Sequence, residues 1–369
     1  FVHNRQTGQN DLISVATDGS QANGPSYEPA ISGNGRYVAF SSKATNLVSG
    51  DTNGYVDVFV HDRQTGETKR ISVSSAGVQS NKDSFEVSIS PDGRFIGYGS
   101  WASNLVSGDT NNVEDSFIHD RLTGKTERVS VASNGAQADY WSYGPAISSG
   151  GRYVAFESYA RNLVSGDTNN NDDIFIHDRQ TGKTERVSIT SDGVQAEGGP
   201  SGMPSISADG RYIAFHSFAS NLVSGDTNSE TDVFVHDLQT GHTERVSLAS
   251  NGSQGGDASY DSRISGNGRF VVFRSDGTNL VPGDTNNEED IFIHNRQTGE
   301  TERISVADDG AQGDALSTSP SINSNGMVVA FSSQASTFIS GDTNGYSDVF
   351  IRQYEGGSKQ YIPMILHTH

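Results

Sequence analysis

Asp51, Asn53 and Asp57 occupy positions 1, 3 and 7 of one loop. The same frame returns as Asp109, Asn111 and Asp115; Asp167, Asn169 and Asp173; Asp226, Asn228 and Asp232; Asp284, Asn286 and Asp290; and Asp342, Asn344 and Asp348. Calcium takes about six to eight hard oxygens, and alternating Asp and Asn side chains with intervening carbonyls can supply them. The frame therefore points to calcium as a cofactor. It departs from a helix-loop-helix calcium site, because no glycine is fixed at position 6 and no glutamate at position 12. Position 5 varies from Tyr55 and Val113 through Asn171, Glu230 and Glu288 to Tyr346. The same residues also serve in loops that need no ion, since Asp and Asn side chains bond to nearby backbone amides. An ion held here would stiffen each loop.

Histidine recurs at His3, His61, His119, His177, His236 and His294, usually before Asp or Asn, with Arg352 in the last copy. A ring of imidazoles suggests metal or acid-base chemistry. Neighbouring strand residues point to opposite faces, however, so each His and the next Asp form no local pair, and a structural hydrogen bond is the expected role. No Gly-x-Ser-x-Gly elbow, His-Glu-x-x-His helix or phosphate-cradling loop is present. The chain is therefore expected not to be an enzyme. Recognition should lie where the copies differ, which singles out Tyr140, Trp141 and Tyr143 as a contact patch and Trp101 after them. Aromatic side chains there can stack on sugars or anchor a protein partner.

These residues are carried by a repeat. The leading aspartates stand at 51, 109, 167, 226, 284 and 342, so the spacings are 58, 58, 59, 58 and 58 residues. Such a period means one supersecondary unit copied and stacked. Within a unit, Asn34-Gly35 or its equivalent makes a tight turn. It is followed by the alternating run Arg36 to Ser41, the long loop, the run Asp57 to Asp62, a second turn at Arg63 to Gly66 and a last run from Thr68 to Val73. Four antiparallel strands per repeat describe an all-β propeller. A right-handed β-helix is the alternative, but its coils lack two hairpins per unit. The first two strands should line the inner part of each blade, and the charged fourth strand its outer edge. Six repeats are complete, and Phe1 to Gly8 matches Phe59 to Gly66, leaving an N-terminal half blade. Seven blades are favoured on this count, with six as the alternative. Residues 1–361 read as one propeller domain and 362–369 as an apolar tail.

Ile89-Ser90-Pro91-Asp92-Gly93-Arg94-Phe95-Ile96, then Asp115-Ser116-Phe117-Ile118-His119-Asp120 and Thr123-Gly124-Lys125-Thr126, resemble the WD40-like repeat of TolB-type propellers, also called PD40. The resemblance covers essentially the whole chain. It implies the fold, and it implies roles as varied as periplasmic scaffolds, substrate-gating domains of peptidases and extracellular modules.

The formal charge of -20 is the reverse of what phosphate backbones attract, which argues against nucleic acid and anionic membrane surfaces as partners. Cysteine is absent, so thiol chemistry is excluded. No apolar run is long enough to span a bilayer. The expectation is a non-enzymatic extracellular or cell-surface module, or a periplasmic one, that acts as a scaffold for a protein or glycan. Self-association would run through the tail or the N-terminal strands. The competing expectation is a lectin or a carbohydrate-active enzyme. A lectin would cluster its aromatics on one face; an enzyme would hold two close carboxylates that the other blades lack.

Overall fold

The computed structural model describes residues 1–353. The expected fourth strand of the last repeat and the apolar tail, 362–369, lie outside the described residues. The chain forms two compact units, Phe1–Arg186 and Val187–His369.

In the first unit a ribbon of β1 (Val2–Asn4) and β2 (Gln9–Asp11) precedes three blades. Blade 1 contains β3 (Ser26–Ile31), β4 (Tyr37–Ser42), β5 (Asp57–Asp62) and β6 (Glu67–Arg70). Blade 2 contains β7 (Ser84–Ile89), β8 (Phe95–Ser100), β9 (Asp115–Asp120) and β10 (Lys125–Arg128). Blade 3 contains β11 (Ser142–Ile147), β12 (Tyr153–Ser158), β13 (Asp173–Asp178) and β14 (Lys183–Arg186). In the second unit, blade 4 is β15 (Ser201–Ile206), β16 (Tyr212–Ser217), β17 (Asp232–Asp237) and β18 (Thr243–Arg245). Blade 5 is β19 (Ser259–Ile264), β20 (Phe270–Ser275), β21 (Asp290–Asn295) and β22 (Glu300–Arg303). Blade 6 shows β23 (Ser317–Ile322), β24 (Val328–Ser333) and β25 (Asp348–Gln353) among the described residues. Every blade is an antiparallel meander of sequence neighbours.

Among the described residues the chain builds six blades, not the seven favoured above. Strands β1 and β2 pair only with each other, and β2 is exposed along its length. A two-stranded ribbon has no inner strands on which to build a core of its own. Val2 and Ile13 pack instead against Val38, Phe40 and Phe59 of blade 1.

The core comes from the second and third strands. Phe40 stacks on Phe59 across the β4–β5 pair with ring centroids 5.9 Å apart, and Tyr98 on Phe117 at 5.8 Å. The opposite faces join neighbouring blades: Ala39, Val58 and Val60 of blade 1 bury Ile96, Tyr98 and Phe117 of blade 2. One blade alone would leave that face in water, which is why the repeat must stack. The first strand is less buried than its composition suggests, with Tyr27 52% and Ile31 50% exposed. It forms the unpaired edge of the blade and carries a bulge, so only part of it reaches the core. At the hairpin before β8, Gly93 has φ +72° and approaches Tyr37 so closely that a Cβ would enter the ring. No helix among the described residues is long and apolar enough to cross a membrane.

Phe117 is fully buried and Leu122 is 77% exposed. Phe117→Ala should therefore cost about 3–5 kcal/mol in urea unfolding, whereas Leu122→Ala should stay within about 0.5 kcal/mol of the parent. Equal effects would contradict this core.

Candidate functional site

In blade 1 the side chain of Asp57, with no exposed surface, heads the third strand. Its Oδ1 accepts hydrogen bonds from Ser72 Oγ at 2.5 Å and Ser80 Oγ at 2.7 Å. Its Oδ2 accepts from Asn53 Nδ2 at 2.9 Å and Arg70 Nη1 at 3.3 Å. The same Nη1 lies 3.2 Å from Asp51 Oδ1. The loop is thus closed around a guanidinium. Asn53 Oδ1 is occupied as well, accepting from the Tyr55 amide at 3.1 Å.

Four more copies keep this bridge. Arg128 joins Asp109 and Asp115, Arg186 joins Asp167 and Asp173, Arg245 joins Asp226 and Asp232, and Arg303 joins Asp284 and Asp290, all at 3.0 to 3.3 Å. Asn111, Asn169 and Asn228 again donate to the aspartate, while Asn286 donates to the carbonyl of Gly313. These residues do not fit a calcium ion as arranged, because a cationic side chain holds the place between the carboxylates and the asparagine amides point their NH2 groups inward. In the sixth copy Asn344 donates to Asp348 at 3.2 Å and its amide reaches Asp342 Oδ1 at 3.4 Å. There the repeat puts Tyr361 in the arginine's place.

Burial pushes the carboxyls of Asp109 and Asp167 up to about 6, with the neighbouring Asp115 and Asp173 adding to the shift and the arginines opposing it. A second set of aspartates behaves in the opposite way. Arg36 binds Asp62 through two parallel bonds, 2.8 and 2.7 Å, and Arg94 does the same to Asp120. Those hydrogen bonds hold both carboxyls well below the usual range.

The histidines are structural ties. His61 Nδ1 meets Thr68 Oγ1 at 2.9 Å, and His119, His177, His236 and His294 meet Thr126, Thr184, Thr243 and Thr301 in the same way. Thr68 Oγ1 spends its one proton on the Val15 carbonyl at 2.6 Å, which assigns Nδ1–H as the donor to Thr68. Burial lowers the basicity of His61, His119, His177 and His294, so the neutral form is favoured there.

Of the three aromatics singled out by sequence, two come together. Tyr140 and Trp141, 40% and 41% exposed, lie with ring centroids 4.6 Å apart. Tyr159, which sequence reasoning did not select, adds a third ring 5.0 Å from Tyr140. Its signal is positional, since it follows the second strand at the repeat position that Trp101 holds in blade 2. Tyr143 belongs elsewhere: its hydroxyl donates within β11–β12 surroundings, to Glu157 at 2.8 Å or Asp172 at 3.2 Å.

Sequence reasoning also missed a group of carboxylates in the first unit. Glu114 precedes the third strand of blade 2 where blade 1 has Val56, and Gly99 replaces the side chains of Ser41 and Glu157 in the adjoining blades. A Cβ on Gly99 would strike Glu114 Oε1 and come to 3.3 Å from Glu86 Oε2. These are two close carboxylates made possible by a missing side chain. In the second unit the Tyr260 hydroxyl donates towards Glu289 at 2.7 Å, and Arg274 pairs with Glu289 at 2.8 Å.

No family model matches the chain, and no curated protein matches it. Among solved structures it is similar to the propeller domain of the trilobed protease from Pyrococcus furiosus, with 13% identity over 91% of this chain and 83% of that one and a TM-score of 0.53. It is similar to the acylaminoacyl peptidase of Pyrococcus horikoshii, with 13% identity over 92% and 46% of the two chains and a TM-score of 0.52. The fold is a β-propeller. TolB from Acinetobacter baumannii is also among the neighbours, at 16% identity, a TM-score of 0.45 and coverage of 81% of this chain. The chain spans 57% of that TolB and less than half of the peptidase. At these identities the likeness shows fold alone.

Replacing Arg128 by Met leaves Asp109 and Asp115 facing each other, with the Asp115 side chain fully buried. The expected cost is about 3–5 kcal/mol, read by denaturant unfolding. The cost should be smaller at pH 5 than at pH 8, because protonating Asp109 relieves the repulsion. A pH-independent loss would contradict the pairing.

In the parent protein, groups with raised folded values, Asp109 and Asp167 at about 6, bind protons more tightly when folded. Their contribution to stability therefore declines as pH rises from about 4 through 6. Asp62 and Asp120 have lowered values, so their contribution is complete above the ordinary aspartate range and is lost as pH falls below about 4. The melting temperature of the parent relative to Asp109→Asn should therefore fall as pH rises from about 4 to above 6, and relative to Asp62→Asn it should fall as pH drops below about 4; differences that do not vary with pH would contradict these assignments.

Proposed function

We propose that this chain is a non-enzymatic binding module, extracellular or on the cell surface, that engages a protein or a glycan through the aromatic patch of blade 3. The observation that carries the reading is the exposed Tyr140 and Trp141 with Tyr159 beside them. The repeated polar residues are consumed by the frame, as the arginine bridges and histidine ties illustrate, so they offer little to a ligand. An exposed aromatic cluster presents large rigid area at small entropic cost, which suits both sugar stacking and a protein hot spot. The acidic, cysteine-free composition accords with an extracellular setting without requiring it. Calcium enters this reading only as a competitor of the guanidinium groups.

A second reading, carbohydrate processing, is favoured by the Glu86 and Glu114 pair, which is not joined by an arginine as Asp261 and Glu289 are by Arg274 at the same positions of blade 5. One experiment separates the two. The purified chain and its Trp141→Ala and Tyr159→Ala variants are applied to a glycan panel and to the surface of the producing cells. Binding that weakens at least about ten-fold in both variants supports the module. Unimpaired binding by the variants contradicts the patch, and hydrolysis of a panel sugar contradicts the non-enzymatic assignment.

A further inference from the structure

One seam of the first unit carries an excess of positive charge. Between β10 of blade 2 and the β11–β12 hairpin of blade 3 lies a cavity of about 280 Å³, bordered by Lys125, Glu127, Gly150, Gly151, Arg152 and Arg179. In a chain of formal charge -20, its walls hold three basic side chains and one acidic one. The single carboxylate is shared. Lys125 Nζ donates to Glu127 Oε1 at 2.5 Å, while Arg179 donates to Oε2 through Nη2 and, at 3.1 Å, through Nε. Arg179 Nη1 is held by the Gly151 carbonyl at 2.6 Å. Arg152 binds Asp178 through Nε and Nη2, at 3.0 and 2.8 Å, which leaves its Nη1 without a partner among the described residues. Three cations therefore face two carboxylates, and Lys125 keeps two of its three donors.

The repeat does not build this excess elsewhere. Blade 1 has Glu67 where Lys125 stands, and blade 2 has Asp92 where Gly150 stands, so the corresponding seam between those blades gains two acidic groups. In blade 4 Asp209 stands at the turn and Leu238 in the place of Arg179. Gly150 also keeps the cavity open: its φ is +74°, and a Cβ there would meet nothing within 4 Å. The Lys125 and Arg152 side chains are 62% and 46% exposed, so a solute reaches them from solvent.

We infer that this cavity binds a phosphate or sulfate group, held by Lys125 Nζ and Arg152 Nη1 with Arg179 adding positive charge. The Nε–Nη2 fork of Arg152, the edge that matches a planar carboxylate, is taken by Asp178. The free donors are separate points, which suit a tetrahedral oxyanion with oxygens in several directions. Ligand pockets run from roughly 300 to 1,000 Å³, so this cavity admits one such group with water and not a drug-sized molecule. The acidity of the rest of the chain is screened beyond about 8 Å at physiological ionic strength. The shared chemistry is that of the free ion and of its sugar ester. The cavity lies at the opposite end of β11 from Tyr140 and Trp141, and the inference stands or falls apart from the aromatic patch.

The test is titration of the full, nitrogen-15-labelled chain at pH 7 and constant ionic strength, read by amide NMR shifts. The probes are inorganic phosphate, sulfate, glucose 6-phosphate and glucose 6-sulfate, with acetate as control. The expected result is saturable one-to-one binding of phosphate or sulfate groups at millimolar concentration, weaker binding of acetate, and shifts centred on Gly150 and Gly151. Lys125→Glu gives blade 2 the residue that Glu67 and Glu300 supply in blades 1 and 5, so the fold should tolerate it, and affinity should fall at least about ten-fold. Lys183→Glu makes the same charge change one repeat further on and should leave affinity within about two-fold of the parent. Tighter binding of the sugar esters names them as the source, and binding of the free ions alone names those; either supports the site. The inference is overturned if no probe gives saturable shifts at tens of millimolar, if acetate binds as tightly as phosphate, if Lys125→Glu binds as the parent does, or if Lys183→Glu weakens binding equally. Unfolding midpoints of both variants, measured alongside, distinguish a lost site from a lost fold.

Discussion

The structure depends on a buried carboxylate at the head of each third strand. Asp57, Asp115, Asp232 and Asp290 have essentially no exposed surface, and an ionised group placed there without partners would cost several kcal/mol. Each is therefore surrounded by donors drawn from distant parts of its repeat. In blade 1 these are Asn53 from the loop before it, Arg70 and Ser72 from the fourth strand and beyond, and Ser80 from the crossing towards the next blade. One side chain thereby fixes the long loop, the outer hairpin and the exit to the next blade. The stacked aromatic pair supplies apolar burial, while this network specifies how the chain enters and leaves it.

Much of the fold was legible because the repeat is nearly exact. The Asn-Gly and Asp-Gly turns, the alternation of Tyr37 to Ser42 and the run Asp57 to Asp62 each become the expected hairpin or strand. The loop chemistry was less legible. Spacing within Asp51 to Asp57 suggests calcium, but the group that settles the local charge is Arg70, thirteen residues beyond Asp57 and brought back by the hairpin that pairs Phe59 with Arg70. A linear reading of the loop cannot contain it. The half blade misled the blade count in a similar way, because sequence similarity to strands three and four does not supply the inner strands that make a blade.

Tyr143 shows the limit of reading side chains from proximity in sequence. It stands two residues from Trp141, yet strand pairing with β12 ties its hydroxyl to Glu157 while Tyr140 and Trp141 remain outside the strand. The functional candidates that emerged instead, Tyr159, Glu114 and Gly99, all stand at positions that vary from copy to copy within the repeated frame. Comparing the six copies column by column would have flagged each of them, Gly99 most plainly, since a glycine in a strand interior weakens it and usually marks a close approach. Symmetry thus builds the scaffold, and its local failures give the surface its individuality.

The central claim is that arginine, not a metal ion, neutralises the Asp-rich loops. Equilibrium dialysis of chelator-stripped protein against labelled calcium, with magnesium in excess, counts the ions held per chain. With guanidinium groups in five loops and Tyr361 at the corresponding position of the sixth repeat, no more than one calcium per chain should be retained. Retention of five or six would mean that the ion displaces the arginines, and would contradict the account.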